Sequence, residues 1–221
     1  MKYLVFRISF FEAFFKVFIT RKYQLSYILP LPTSIAGIIG SIIGIERNNI
    51  ANYFKDMYVG SKYIKGELIF ENRTLIELSS NKPPERAVEK TSIINDAEFE
   101  IVVIGDDNKI DELKRRIENL EFSFLPFGGQ NDFFIKDIKA IEYGEISTIT
   151  NSNIITGYVK YSDIKSIRNN TRIWIFPVRY KGRDEKFAFI DGEVEVKEPI
   201  PSFKNIAVYK FSDFEYKIAF S

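Results

Sequence analysis

Apolar and polar positions follow two different periods along this chain, and the switches between them mark its elements. Residues 2–11, KYLVFRISFF, are β-branched and aromatic almost throughout and predict a strand. A polar and aromatic connector follows, and an apolar stretch with small residues then predicts a helix over about 33–54. Residues 57–78 alternate and predict one or two strands, with a hairpin turn near Asn72. The run SSNKPPERAVEKT at 79–91 reads as loop, since Pro83 and Pro84 oppose regular structure. AEFEIVVI at 97–104 is the clearest strand, and Ile110, Leu113, Ile117 and Leu120 give 109–120 the spacing of an amphipathic helix. A loop around Pro126, Gly128 and Gly129 leads into a strand at 135–146. From about residue 150 only short strands are expected, among them IITGYVKY, TRIWIFPVRY and KFAFIDGEVEV.

The order strand, helix, strand pair, helix, strand is a βαββαβ pattern. The expected class is therefore α+β: a ferredoxin-like (RRM-like) domain at 1–148, with a hairpin inserted at about 58–91, and a β-rich domain at 149–221.

Within the first helix, LPLPTSIAGIIGSIIG (29–44) places Ala36, Gly40 and Gly44 four residues apart on one side. Each interior glycine costs about 1 kcal/mol relative to alanine, so the stripe requires a close approach, to a sheet, another subunit or a ligand. Uncharged residues continue from Ile28 to Ile45, but Pro30 and Pro32 delay the helix. The remaining segment rises only ~20 Å, short of the ~30 Å hydrocarbon core. A membrane span is excluded on that ground, and Thr33 or Ser34 is the expected N-cap.

Composition narrows the chemistry. The 221 residues carry a net charge of +1, so any nucleic-acid binding must be local or shared with partners. Absence of cysteine removes disulfides and thiolate metal sites and suits a reducing interior. Absence of histidine is sharper: it removes the commonest general base and metal ligand, and with them serine–histidine and cysteine–histidine hydrolysis. Charges at Arg7, Glu12 and Lys16 interrupt the N-terminal apolar run, so it is not read as a signal peptide.

Three places carry candidate chemistry. FGGQNDFF offers unobstructed amides at Gly128 and Gly129 for a phosphate or sugar edge, Phe127, Phe133 and Phe134 for stacking, and Gln130 and Asn131 for hydrogen bonds; a plain turn is the other reading. The connector sets Lys16, Arg21 and Lys22 among Phe14, Phe15, Phe18 and Tyr23, near a helix N-terminus that can attract phosphate. Between Lys160 and Lys186 eight cations face three carboxylates, with Trp174 and Tyr180 among them, which suits either a soluble face or single-stranded nucleic acid. The acidic stretch Asp191, Glu193, Glu195 and Glu198 is expected to face solvent or a basic partner. Asp106/Asp107 and Asp111/Glu112 open a helix, where the dipole favours negative charge, and read as structural.

Taken in order, PLPTSIAGIIGSIIG, the AEFEIVVI strand with its helix, and LPFGGQNDFF resemble the fifth Cas subunit family of type I CRISPR interference complexes (Cascade), within the RAMP superfamily. That family's small-residue helix is similar to P-P-x-S-x-x-G-x-x-x-x-x-x-G, matched here by Pro30, Pro32, Ser34, Gly37 and Gly44, and its glycine loop corresponds to residues 127–132. GGQNDFF looks most like the archaeal, type I-A-like branch, and the resemblance covers about residues 1–146. It implies a cytoplasmic subunit that grips the 5′ handle of the crRNA and touches the backbone and large subunits, without a cofactor or a membrane. It also implies a thumb hairpin over the RNA, with Arg73, Lys82, Arg86 and Lys90 as phosphate partners. One branch of the family cleaves precursor crRNA with a histidine. This chain has none, so a non-catalytic role is expected, with metal-independent endoribonuclease activity as the alternative.

Overall fold

A computed structural model describes residues 1–18, 23–77 and 85–215. Lys2–Ala13 forms β1, and the connector holds three short strands, β2 (Phe15–Lys16), β3 (Tyr23–Gln24) and β4 (Ser26–Tyr27). Helix α1 spans Pro32–Ile43 and is followed by the short α2 (Ile50–Phe54). Two long strands, β5 (Tyr58–Glu77) and β6 (Glu85–Gly105), precede α3 (Asp107–Glu118) and β7 (Ile135–Glu145). The remainder comprises β8 (Thr150–Lys160), β9 (Ile164–Ile167), β10 (Arg172–Tyr180), β11 (Arg183–Phe203), β12 (Ile206–Ala207) and β13 (Tyr209–Lys210). The class is α+β, and no helix among the described residues is long and apolar enough to cross a membrane.

The first sheet runs β13–β5–β6–β1–β7, antiparallel throughout, with β3 added beside β6; the second joins β8, β9, β10, β11 and β12. Strand β1 is central, and its alternation feeds two cores. Leu4, Phe6, Ile8 and Phe10 meet Ile35, Ile39 and Ile42 of α1 and Ile110, Leu113 and Ile117 of α3. On the other face, Val5, Val102 and Ile104 pack beneath Phe203, Ile206 and Val208. The α1 side of this core continues without a break into Tyr158, Val178, Phe187 and Phe189 of the second sheet, so buried apolar contact crosses residue 148.

Four local expectations are corrected. Helix α1 is shorter than 33–54: Gly44 adopts φ +86°, and its amide and that of Ile45 both bond the Gly40 carbonyl, closing the helix with a left-handed residue. Its N-cap is Leu31, with Pro32 in the first helical position, where the fixed φ of proline suits the turn and its missing N–H is no loss. The hairpin turns well beyond Asn72, which pairs with Lys90, and 85–91 is strand, not loop. Cross-strand register overrides composition there, and the two prolines lie outside the described residues. The hairpin is built as the outward continuation of β5 and β6, with bulges between Tyr63 and Glu67.

The second sheet is joined to the first by an aromatic cluster of Tyr158, Tyr180, Phe187, Tyr209 and Phe214. Tyr158 is fully buried and its hydroxyl has no hydrogen-bond partner among the described residues. Burial pushes the Tyr158 and Tyr209 phenols up, and pushes Tyr53 up to about 12. An unfolded tyrosine ionises near 10.0 whereas these remain neutral, so their contribution is complete below that pH and is lost as pH rises through the folded values. Replacing Tyr158 by Phe removes the unpaired hydroxyl. We expect it to stabilise the fold by about 1 kcal/mol, raising Tm by about 2–4 °C in a circular-dichroism melt, and to soften the loss of stability above pH ~10.

Candidate functional site

The segment after α3 is tied to the end of α1: the Ser123 amide bonds the Ile42 carbonyl at 3.1 Å, and the Phe124 amide bonds that of Ser41 at 2.9 Å. Arg116 adds a guanidinium bond to the Ile42 carbonyl at 3.2 Å. These contacts lay the 124–134 loop alongside α1 and leave a groove of about 530 Å³ between them. Ser34, Gly37, Arg47, Phe124, Phe127 and Gly129 all line it. Four residues singled out from two distant stretches of sequence, Ser34, Gly37, Phe127 and Gly129, thus share one cavity. Gly37 is the opening: a Cβ built on it would meet nothing within 4 Å. The proposed stripe is used differently along its length. Ala36 and Gly40 are buried, the Gly40 side facing Ile50 at 3.4 Å, and Gly44 caps the helix against Ser123.

The double glycine does not offer free amides. Gly128 N–H bonds the Phe133 carbonyl at 2.7 Å, Gly129 N–H bonds the Phe127 carbonyl at 3.0 Å, and the Gly128 carbonyl accepts from Phe14 N–H at 2.7 Å. A Cβ on Gly128 would lie 2.9 Å from the Glu12 carbonyl oxygen, and one on Gly129 (φ +96°) would fall on the Phe14 carbonyl. The expectation of a backbone cradle for phosphate is corrected: these glycines exist so that the loop can lie directly on the end of β1. Phe14 and Phe133, expected as stacking groups, are each 2% exposed and face each other with Ile93 in a small core. Phe127 is half-buried in the groove wall, while Phe134 and Asn131 remain exposed.

Above this loop stands the hairpin. Arg73 bonds Gln130 Oε1 at 3.2 Å and lies 4.7 Å from the centre of the Phe133 ring, so it fastens the hairpin to the loop. Lys90 and Tyr23 are exposed neighbours, paired through the parallel β3–β6 ladder. Exposed Lys16 lines a separate cavity of about 280 Å³ that shares Thr33 with the groove. Arg86 occupies a ladder position opposite Ile76, and Arg21, Lys22 and Lys82 lie outside the described residues.

The basic run beyond residue 160 is largely neutralised within the chain. Lys165 pairs with Glu195 at 2.7 Å, Arg168 with Glu193 at 3.1 Å, Arg172 with Asp191 at 2.6 Å and Arg179 with Asp184 at 2.7 Å. The acidic residues Asp191, Glu193 and Glu195 therefore meet the chain's own cations across β9, β10 and β11 while staying partly exposed, and Glu198 is exposed to solvent as expected. At α3, the Asp106 side chain accepts from the Asn108 amide at 3.1 Å, Asp111 binds Lys2 at 2.7 Å, and Glu112 binds Arg116 at 3.1 Å. The lysine and Tyr143 hold the Asp111 carboxyl below its ordinary range. Arg47 and Phe124 were missed as groove residues; nothing in their local pattern marks them, because only the α1–loop hydrogen bonds bring them to Gly37.

No protein-family model matches the chain, and no curated protein matches its sequence. Among solved structures it is similar to a chain of a "CRISPR RNA-guided surveillance complex", with TM-score 0.56 and 9% identity over 88% of this chain and 91% of that one. It is also similar to a "CRISPR protein from Archaeoglobus fulgidus", with TM-score 0.55 and 9% identity over 95% of this chain and 99% of that one. At this identity the likeness shows a shared fold, one that occurs in CRISPR-associated proteins.

The glycine geometry separates two classes of substitution. Gly37→Ala should stabilise the protein by about 0.5–1 kcal/mol, because it removes a helical glycine without a clash. Gly129→Ala should destabilise it by about 2 kcal/mol or more, because positive φ and the Phe14 carbonyl both oppose a side chain. Urea titration of the two variants distinguishes these signs.

Proposed function

We propose that this chain is a non-catalytic crRNA-binding subunit of a type I CRISPR interference complex, of the fifth Cas subunit kind and the archaeal I-A-like branch. In this reading it grips the 5′ handle of the guide and bridges the backbone and large subunits. Both named structural neighbours are CRISPR proteins matched over nearly their whole length, which supports the assignment. The order β5–β6–β1–β7, antiparallel with α1 and α3 on one face, supports a ferredoxin-like arrangement for 1–148. The β-rich part at 149–221 then braces that sheet from both sides through Phe189 and Phe203.

One observation carries the functional reading: the open groove where Ser34 and Gly37 of α1 face Phe127 and Gly129 of the loop, beside a hairpin fastened to that loop by Arg73. Exposed rings and cations around a cavity with a bare backbone wall suit an extended ribonucleotide chain, which needs stacking surfaces and phosphate partners together. The chemistry of the side chains argues against cleavage. With no histidine, a tyrosine or lysine could serve as the 2′-hydroxyl base near neutral pH only with a depressed pKa. Among the described residues, every tyrosine or lysine whose pKa is displaced moves upward: Lys2, Lys65, Lys181 and Lys204 through carboxylate or phenol partners, Tyr3 through its bond to Glu142, and Tyr27, Tyr53, Tyr63, Tyr158, Tyr180 and Tyr209 through burial.

Purification of the natively assembled particle through a tag on this chain tests the proposal. Discrete crRNA should co-purify, and Gly37→Phe should reduce retained RNA about tenfold while the isolated variant melts no lower than wild type. Absence of RNA from the particle overturns the reading. So does specific cleavage of labelled repeat RNA by the purified chain without added metal, which would make it a processing endoribonuclease.

A further inference from the structure

Register sorts the side chains of the hairpin by face. The ladder pairs Leu68 with Ile94, Phe70 with Ser92, Asn72 with Lys90, and Lys90 with Tyr23. Alternation therefore sets Leu68, Phe70, Asn72, Val88, Lys90 and Tyr23 on one face. Glu71, Arg73 and Glu89 fall on the other, the face that meets the glycine loop through Arg73. The hairpin thus has two unlike faces: Glu71 and Glu89, the carboxylates within 68–72 and 88–94, both lie on the face opposite Lys90.

At its root the first face is closed, since Ile94 belongs to the core and Leu68 packs against it. Farther out it is open. Phe70 is 55% exposed, Tyr23 61% and Val88 69%, and Lys90 Nζ stands 5.2 Å from the centre of the Phe70 ring. Where the hairpin meets β10, a cleft of about 230 Å³ is lined by Tyr63, Leu68, Ile94, Arg172 and Trp174, with Glu67 its one acidic wall residue. Arg172, ion-paired with Asp191 at 2.6 Å, lies 5.6 Å from the Trp174 ring centre and borders the same surface.

We propose that this face is a stacking platform for unpaired bases of single-stranded RNA, with Phe70 and Tyr23 presenting ring faces and Lys90 meeting the adjoining phosphate. The inference rests on the RNA-binding reading above and deepens it: Lys90 and Tyr23 were already expected RNA contacts, and what is added is Phe70 and the stacking face these three share, opposite the glycine loop. Large rings held out to water on a two-stranded ribbon, with Lys90 between them and the carboxylates Glu71 and Glu89 turned to the other face, match an anionic polymer whose every unit offers a π-face.

The test uses the full-length chain and a single-stranded oligouridine RNA, followed by anisotropy of the labelled RNA and by emission of Trp174, the only tryptophan in the sequence. We expect Trp174 emission to change on binding. The double variant Tyr23→Ala/Phe70→Ala should bind about tenfold or more weakly with an unchanged salt slope. Lys90→Ala should lower the slope of log K against log salt by about 0.7, and the aromatic-retaining Tyr23→Phe/Phe70→Tyr should bind as wild type. Tyr23, Phe70 and Lys90 are all at the surface, so folding of the variants is checked by melting alone. If wild type binds RNA and the alanine double variant binds equally well, the platform is overturned and the RNA-binding reading stands. If the double variant keeps its RNA but no longer assembles with protein subunits, the face is a protein interface and the platform is again overturned. Absence of RNA from both the isolated chain and the assembled particle removes the reading beneath it.

Discussion

Burial of β1 on both faces is the constraint from which the architecture follows. A strand hydrogen-bonded to β6 on one edge and β7 on the other has no free backbone, so its side chains must find partners above and below. Leu4, Phe6, Ile8 and Phe10 take the helices, while Val5 takes the segment around Phe203 and Val208. The C-terminal strands are therefore not an appendage: without them one side of the central strands would present Val5, Val102 and Ile104 to water. Charged Arg7 occupies the same outer face farther along, where Glu98 and Glu100 approach it at 3.5 and 3.1 Å.

At the end of β1 the same strand becomes a docking edge for backbone. Gly128 and Gly129 lie on Glu12, Ala13 and Phe14 so closely that only hydrogen fits, and both amides and the Gly128 carbonyl are already spent on Phe133, Phe127 and Phe14. This contact holds one wall of the groove and, through Gln130, the foot of the hairpin. The functional value of the double glycine is then positional. It sets Phe127 and the exposed edge of the loop opposite Gly37, whereas the expectation of free amides assumed a loop that stands away from the fold.

Charge behaves in the same way. Viewed along the sequence, 160–186 is basic and 191–198 acidic, two blocks inviting two partners. Antiparallel pairing of β9 and β10 with β11 folds one block onto the other, bringing Arg172 to Asp191 and Arg168 to Glu193. In the hairpin the reverse occurs: a mixed sequence separates into a face with Glu71, Arg73 and Glu89 and a face where Lys90 stands beside Asn72, Phe70, Val88 and Tyr23. Composition averages over faces, and recognition does not.

Local chemistry by itself determined the element types and their order. The β-branched runs of β1 and β6, the 3.6 spacing of α3 and the punctuation by Pro126 and Gly128 are each legible because period and turn residues act over a few positions. It also determined which chemistry is missing, since absence of histidine needs no fold. Tertiary structure decided what depends on residues far apart in the chain: that Gly44 ends α1 early against Ser123, that 85–91 is strand because β5 lies opposite, and that Phe14 and Phe133 are core partners. It decided the groove as well, because Gly37 and Phe127 meet only after the Ser123 and Phe124 amides have bonded the last carbonyls of α1. Free space and spent hydrogen bonds are properties of neighbours, and the neighbours are chosen by the whole fold.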